Sequence, residues 1–501
     1  MVENRIKKIV VVGGGTSGWM AACALANRFQ NNYTEITLIE SADIGTIGVG
    51  EATVPYIKEF LQDLKIDEVD FIKNTNATYK LAIEFDGWQK QGVSFYHPFA
   101  GYGARIARIP FHHYWMKLNQ KGTAKPLDAY CLSSQIAHHK KFALPKPNNE
   151  VELSTFNYAF HFDAALFAKY LKTIGEKLGV KRIEGTITHV KQHADSGFVE
   201  AVELDEGTEI AGELFIDCSG FKGLLIEETL QTGYEDWSHW LPCDRAVAMP
   251  CASTQSPASS TRSLAVEAGW QWRIPLQHRV GNGYVYSSQF SSDERAIELL
   301  TANLEGDSLA EPKVIKFVTG MRKKTWNKNV VALGLSSGFL EPLESTSIYM
   351  VQSAIDALIN HFPNRNFDSY LTDKFNDVMK TRQQRLRDFI IFHYYANKRH
   401  GEPFWDAVRT MSIPDSLQEK IESFRHTGQV LQDDLDFFRT NSWLAMFAGF
   451  GIQSERYHPA VDNFAEANVQ QELDTIANSI QRAVQGLPSH ADFIRNNCAV
   501  D

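Results

Sequence analysis

The chain has 501 residues, 44% of them hydrophobic, with 50 Lys+Arg against 60 Asp+Glu and a formal net charge of −10. That is enough apolar material for roughly two to four domain-sized units, and the negative balance repels a phosphate backbone, which excludes generic nucleic-acid binding. Its six cysteines (Cys23, Cys131, Cys218, Cys243, Cys251, Cys498) form no Cys-x-x-Cys pair, so neither a structural zinc, nor any other metal, nor a disulfide framework is expected, and a reducing cytoplasm fits best. Met1–Lys8 leads into an apolar run that ends in glycines instead of a cleavage site, and no apolar stretch of about 20 residues is present to span a bilayer. A soluble protein with no membrane partner is the expectation.

In chain order, Lys8–Val12 reads as a buried parallel strand, Gly13–Gly18 as a tight turn, Trp19–Phe29 as an alanine-rich helix and Glu35–Glu40 as the second strand of a βαβ unit. Strand-like runs follow at Arg182–Val190, Val199–Leu204, Glu213–Asp217, Tyr284–Ser288 and Val330–Leu333, while Pro250–Arg262, rich in Ser and Pro, reads as a surface loop. Beyond Ser345 the apolar spacing turns helical, over Ser347–His361, Phe367–Lys398, Asp415–Arg425 and Glu472–Gln485. The fold class is therefore α/β, with a Rossmann-type start, mixed sheets and a helical C-terminal region.

Gly13-Gly14-Gly15-Thr16-Ser17-Gly18 fits G-x-G-x-x-G, follows a strand and opens a helix. Its glycines let backbone approach a pyrophosphate, and the helix start supplies partial positive charge. Glu40 stands where a carboxylate holds a ribose hydroxyl. Gly45–Pro55, with Gly45, Gly48 and Gly50 ahead of Glu51 and Ala52, again suits close approach to a flat ligand. In Trp270-Gln271-Trp272-Arg273-Ile274-Pro275 the two tryptophans share one face of an extended strand, and Pro275 stops it pairing further. Taken alone that segment is a buried aromatic strand edge.

Together, Gly13–Gly18, Gly48–Pro55, Trp270–Pro275 and Gly338-Phe339-Leu340-Glu341-Pro342-Leu343-Glu344-Ser345-Thr346 resemble the flavin-dependent tryptophan halogenase family over essentially the whole chain. The resemblance implies a flavin-monooxygenase-like fold, with residues 1–345 as the FAD-binding and halogenase core and 346–501 as a mainly helical region completing the substrate site. It further implies FADH2 supplied by a separate NADH-dependent reductase, with O2 and chloride or bromide as co-substrates, and hypohalous acid that travels through a tunnel to a lysine beside an indole-type substrate.

By that resemblance Lys80 is the lysine, and Glu344 the carboxylate that stabilises the cationic ring and takes its proton. Thr346 and Ser347 match the halide site, although the family more often has glycine where Ser347 stands. Val190, Leu335 and Ile348 match flavin-lining positions, and Asp217–Gly220 a flavin-contacting turn. Phe95–Phe99, with His97 and Phe99, and Trp443 match the aromatic walls around the indole, while Trp270 and Trp272 match a partition between flavin and substrate. Relatives that act on free tryptophan carry a tandem tyrosine before the tryptophan wall; here the stretch Asp433–Ser442 has none. Indole then stands beside tryptophan as a substrate. An aromatic hydroxylase, a protein that keeps flavin as a structural ligand, and a homodimer remain open alternatives at this stage.

Overall fold

The computed structural model describes residues 4–29, 33–41, 50–146 and 156–500. Residues 42–49, which hold Gly45 and Gly48 of the second glycine loop, lie outside them. By packing, the chain forms two compact units, each from three stretches: 1–77, 162–244 and 316–384 make the first, and 78–161, 245–315 and 385–501 the second. The boundary expected at 345/346 falls inside the last stretch of the first unit.

The first unit is built on a six-stranded sheet in the order Trp326–Asn327, Val330–Ala332, Leu214–Asp217, Lys8–Val12, Glu35–Glu40, Lys181–Glu184. Every pairing after the first hairpin is parallel. Parallel strands covered on both faces read as continuous apolar runs, which is why Ile9–Val12 and Leu214–Ile216 are buried without alternation. The helix Thr16–Arg28 packs Trp19 and Cys23 against Gly175 of the helix Ala164–Lys177, where a side chain would strike the Trp19 ring. It starts three residues before its expected first turn, inside the glycine motif, with Gly15 as its N-cap.

The run expected over Arg182–Val190 is two strands, because Gly185 interrupts it. Lys181–Glu184 joins the parallel sheet, and Ile187–Gln192 joins Val199–Leu204 and Glu209–Ala211 in a separate antiparallel sheet. Val190 thereby packs against a buried cluster that includes Val10, Val12, Val202 and Phe215.

The second unit contains a seven-stranded sheet ordered Lys313–Lys316, Arg245–Ala248, Val280–Tyr286, Gly269–Pro275, Ser260–Val266, Ala82–Asp86, Ser94–Pro98. Two sequence expectations change here. The tryptophan segment is an interior strand, not an edge, paired antiparallel on both sides; Arg262 opposes Arg273 on one flank and Asn282 opposes it on the other. Pro275 is still its last residue, consistent with the missing amide donor. The Pro250–Arg262 loop is shorter than expected, since Cys251 bridges to Val280 and Ser260–Arg262 already belong to a sheet strand. Small serines permit this: Ser263, one residue on, accepts the Trp88 indole N–H at 3.1 Å. The C-terminal helices expected from 415 and 472 are present as Asp415–Thr427 and Glu466–Gln485, joined by a shorter helix Thr440–Gly449 that the pattern did not reveal.

Candidate active site

The glycine loop of the first unit is packed behind and open in front. A Cβ on Gly13 would fall on the Cys218 carbonyl, one on Gly14 on the Glu40 carboxylate, and one on Gly18 on the Gly13 carbonyl oxygen. One on Gly15 would meet nothing within 4 Å. The helix that follows has no side-chain cap and no acidic residue in its first turn, so no acid of the helix itself offsets its leading amides. This cradle fits the pyrophosphate of FAD. Glu40 lies directly beside it, accepting from the Trp19 indole at 3.2 Å and from Arg182 Nε, with Lys172 Nζ at 3.7 Å.

Gly18→Ala is expected to cost about 3 kcal/mol of stability by overpacking backbone against backbone, and to lower FAD affinity. A thermal melt with and without FAD checks both.

Thr16 Oγ1 reaches the Ala164 carbonyl at 3.5 Å, and Ser17 fills the space beside Gly334. Gly50–Ala52 is a short strand, and burial pushes the Glu51 carboxyl up to about 7. A group so poised donates a hydrogen bond to an anionic neighbour more readily than an ordinary glutamate. Leu335 is half-buried in the turn after Val330–Ala332, and Ile348 is buried in the first turn of the helix Ser347–Asn360. Asp217 accepts from the Ser219, Leu225 and Ile226 amides at 3.0, 2.8 and 2.8 Å. Its carboxylate therefore shapes the following turn.

Glu344 ends a short 3-10 turn, Pro342–Glu344, and is 1% exposed. Ser345 then takes a left-handed conformation, φ 58°, a state costly enough in a non-glycine residue to mark a constrained site. Thr346 is buried and Ser347 half-buried at the start of the helix Ser347–Asn360, which has neither a side-chain cap nor an acid in its first turn. Such a helix start favours an anion. The sequence showed the acid and the hydroxyls; the left-handed Ser345 between them had no local signal.

In the second unit Lys80 ends the strand Thr78–Lys80, which pairs antiparallel with Ala159–Asp163. It is 0% exposed, and its Nζ stands 5.1 Å from the centroid of the Phe99 ring. Phe99 is set by its own amide, which donates to the Leu81 carbonyl at 2.9 Å. His97 is buried with its ring 5.7 Å from Phe389 and 5.8 Å from Phe438. Trp443 meets Phe389 edge-on at 4.9 Å, and Lys420 Nζ stands 4.9 Å from its ring. Phe438, in the stretch Asp433–Ser442 that has no tandem tyrosine, stacks on Phe389 at 3.8 Å.

Trp270 and Trp272 share a sheet face, their rings 6.2 Å apart. Trp270 also packs on Trp88, and Trp272 lies over Gly283, where any side chain would collide with its indole. Sequence reasoning missed two buried histidines at the Lys80 strand. His161 contacts the Thr78 hydroxyl at 3.1 Å, and His490 accepts the Tyr79 amide at 3.2 Å.

Among the described residues, no cluster of His, Cys, Asp and Glu is arranged to hold a metal, and no helix is long and apolar enough to cross a membrane. The tryptophan halogenase family profile matches residues 8–466. The chain is 34% identical to tryptophan 7-halogenase RebH of Lentzea aerocolonigenes over 99% of both chains. Among solved structures it is similar to BrvH, a flavin-dependent halogenase from Brevundimonas sp. BAL3, with a TM-score of 0.96 and 44% identity over 99% of this chain and 100% of that one. It is also similar to Xcc4156, a flavin-dependent halogenase from Xanthomonas campestris, with a TM-score of 0.95 and 41% identity over 99% of each. With a glycine loop at a helix start in one unit and a buried lysine beside an aromatic ring in the other, this chain belongs to the tryptophan halogenase family and is a flavin-dependent halogenase.

Proposed function

We propose that the enzyme halogenates an indole-type ring, indole or tryptophan, in the cytoplasm, using chloride or bromide, O2 and FADH2 from a separate NADH-dependent reductase. The observation that carries this reading is Lys80, an ammonium with 0% exposure held against the face of Phe99. A lysine is rarely buried in full unless it is paired or functional.

When bound, reduced FAD supplies, with O2 and halide, the hypohalous acid. Lys80 hydrogen-bonds its oxygen and polarises the O–X bond. The ring's π electrons form the C–X bond as O–X breaks, the departing hydroxide takes a proton from Lys80 and leaves as water, and Glu344 accepts the proton released from the ring carbon. The helix start at Thr346 and Ser347 holds the halide before oxidation. His97, Phe99 and Trp443 offer flat faces to the substrate and keep water from the oxidant. The two tryptophans of the interior strand serve as a wall between flavin and substrate.

The absence of a tandem tyrosine from Asp433–Ser442 favours substrates without a zwitterionic end. Free indole is therefore expected to react at least as well as tryptophan. The test is incubation with reductase, NADH, FAD, O2 and each halide, followed by mass spectrometry of the products from indole and from tryptophan. A product that gains oxygen with no halide requirement would replace this reading with aromatic hydroxylation.

A further inference from the structure

Thr78 sits two residues before Lys80 on the same short strand, and its hydroxyl has one proton to give. That hydroxyl lies 2.6 Å from the carbonyl oxygen of Pro275, which can only accept, so the proton is committed there. The 3.1 Å contact between Thr78 Oγ1 and His161 Nδ1 is then a donation from the imidazole. The network places a proton on His161 Nδ1. The other ring nitrogen, Nε2, lies 2.8 Å from the Thr261 hydroxyl, which donates to it when the ring is neutral. Burial first, and Lys80 next, hold its pKa well below the usual histidine value.

His490 follows the same logic. Its Nε2 accepts from the Tyr79 amide at 3.2 Å, so Nδ1 donates to the Pro257 carbonyl at 3.1 Å. Two consecutive residues of the strand that ends in Lys80 are thus each held by a fully buried, neutral histidine. Thr78 also ties that strand to Pro275, the last residue of the strand bearing Trp270 and Trp272.

We propose that His161, acting through Thr78, is a positioning residue that fixes Lys80 relative to the tryptophan strand while adding no second positive charge beside it. The inference rests on the reading of Lys80 as the group that receives the oxidant. Neutrality is part of the role: a charged imidazole here would repel the ammonium, and an apolar side chain would leave Thr78 without its donor. A purely structural site gains little from so long a polar chain, since a well-packed apolar one is as stable.

Thr78→Val keeps the volume and branching and removes the link, whereas Thr78→Ser keeps the hydroxyl. Product kcat and KM, FAD affinity, and oxidant escaping to a freely diffusing diketone are measured for each. Thr78→Val is expected to lower kcat roughly tenfold to a hundredfold with KM and FAD affinity within about twofold, and to raise escaped oxidant as product falls, because small misplacements of a reacting group are costly. Thr78→Ser is expected to stay within about threefold of the parent. Equal behaviour of the two variants, whether both active or both impaired, overturns the proposal.

The same relation is read from the other partner by His161→Asn, whose amide can donate in place of Nδ1, against His161→Leu, which cannot. Should Thr78→Val fail to fold, this pair decides: Asn active and Leu impaired supports the proposal, and indistinguishable variants overturn it. Lys80→Ala separates the two levels. If it retains full product formation, the reading of Lys80 fails; if it abolishes product while Thr78→Val does not, only the positioning role fails.

Discussion

Lys80→Ala should remove halogenated product, with kcat lowered about 10²- to 10⁴-fold, the range typical of losing a positioned proton-transfer group, while FAD still binds. Lys80 is not among the residues of the glycine loop, so truncating it leaves that loop's side chains unchanged. Folding is checked separately, because Lys80 is fully buried and its loss changes the packing around it. Flavin fluorescence titration, a thermal melt and product quantification distinguish this outcome from general disruption. Lys80→Met, which preserves the length of the stem, should be as inactive as alanine. If it keeps parental activity, the ammonium is not what the chemistry uses.

Glu344→Gln should lower kcat by about 10²- to 10³-fold, with KM nearly unchanged, because the amide keeps the shape of the carboxylate but cannot accept the ring proton. Glu344 closes the turn Pro342–Glu344, and the left-handed Ser345 leads into the next helix. Glu344→Asp, retaining charge but withdrawing it by one methylene, should fall between the parent and the amide. Steady-state kinetics over a range of indole concentrations measures both. A rise in KM with kcat intact would place Glu344 in substrate binding and not in proton removal.

The parts of this molecule that could be read from sequence are those whose cause is local. Gly13–Gly18 declared itself because the motif spans one strand–turn–helix, where Gly14 and Gly18 meet Glu40 and the Gly13 carbonyl, and Lys8–Val12 and Glu35–Glu40 because parallel strands buried on both faces are unbroken apolar runs. Two readings failed where the cause was tertiary. An apolar run says nothing of how many partners a strand has, so Trp270–Pro275 looked like an edge although it is paired on both sides. Continuous β-character across Arg182–Val190 hid a change of sheet at a single glycine.

Site residues divide in the same way. Lys80, Glu344, Thr346 and Trp443 came from resemblance alone, since no periodicity distinguishes a buried functional lysine from a surface one. His161 and His490 had no signal at all: their partners Thr78 and Tyr79 stand 83 and 411 residues away along the chain. Only the fold makes them neighbours.

The alternation of the chain between its two units bears on how the protein comes into being. Five crossings separate residue 1 from residue 501, so neither unit exists as a contiguous segment that can be excised and expressed. During synthesis the flavin-cradle unit has all its strands once residue 384 has emerged, whereas the unit that carries Lys80 still lacks its last 117 residues, 385–501. Trp443 and His490 are in that final stretch. A chain stopped at residue 384 therefore has Lys80, Phe99 and His161 but lacks Trp443 and His490.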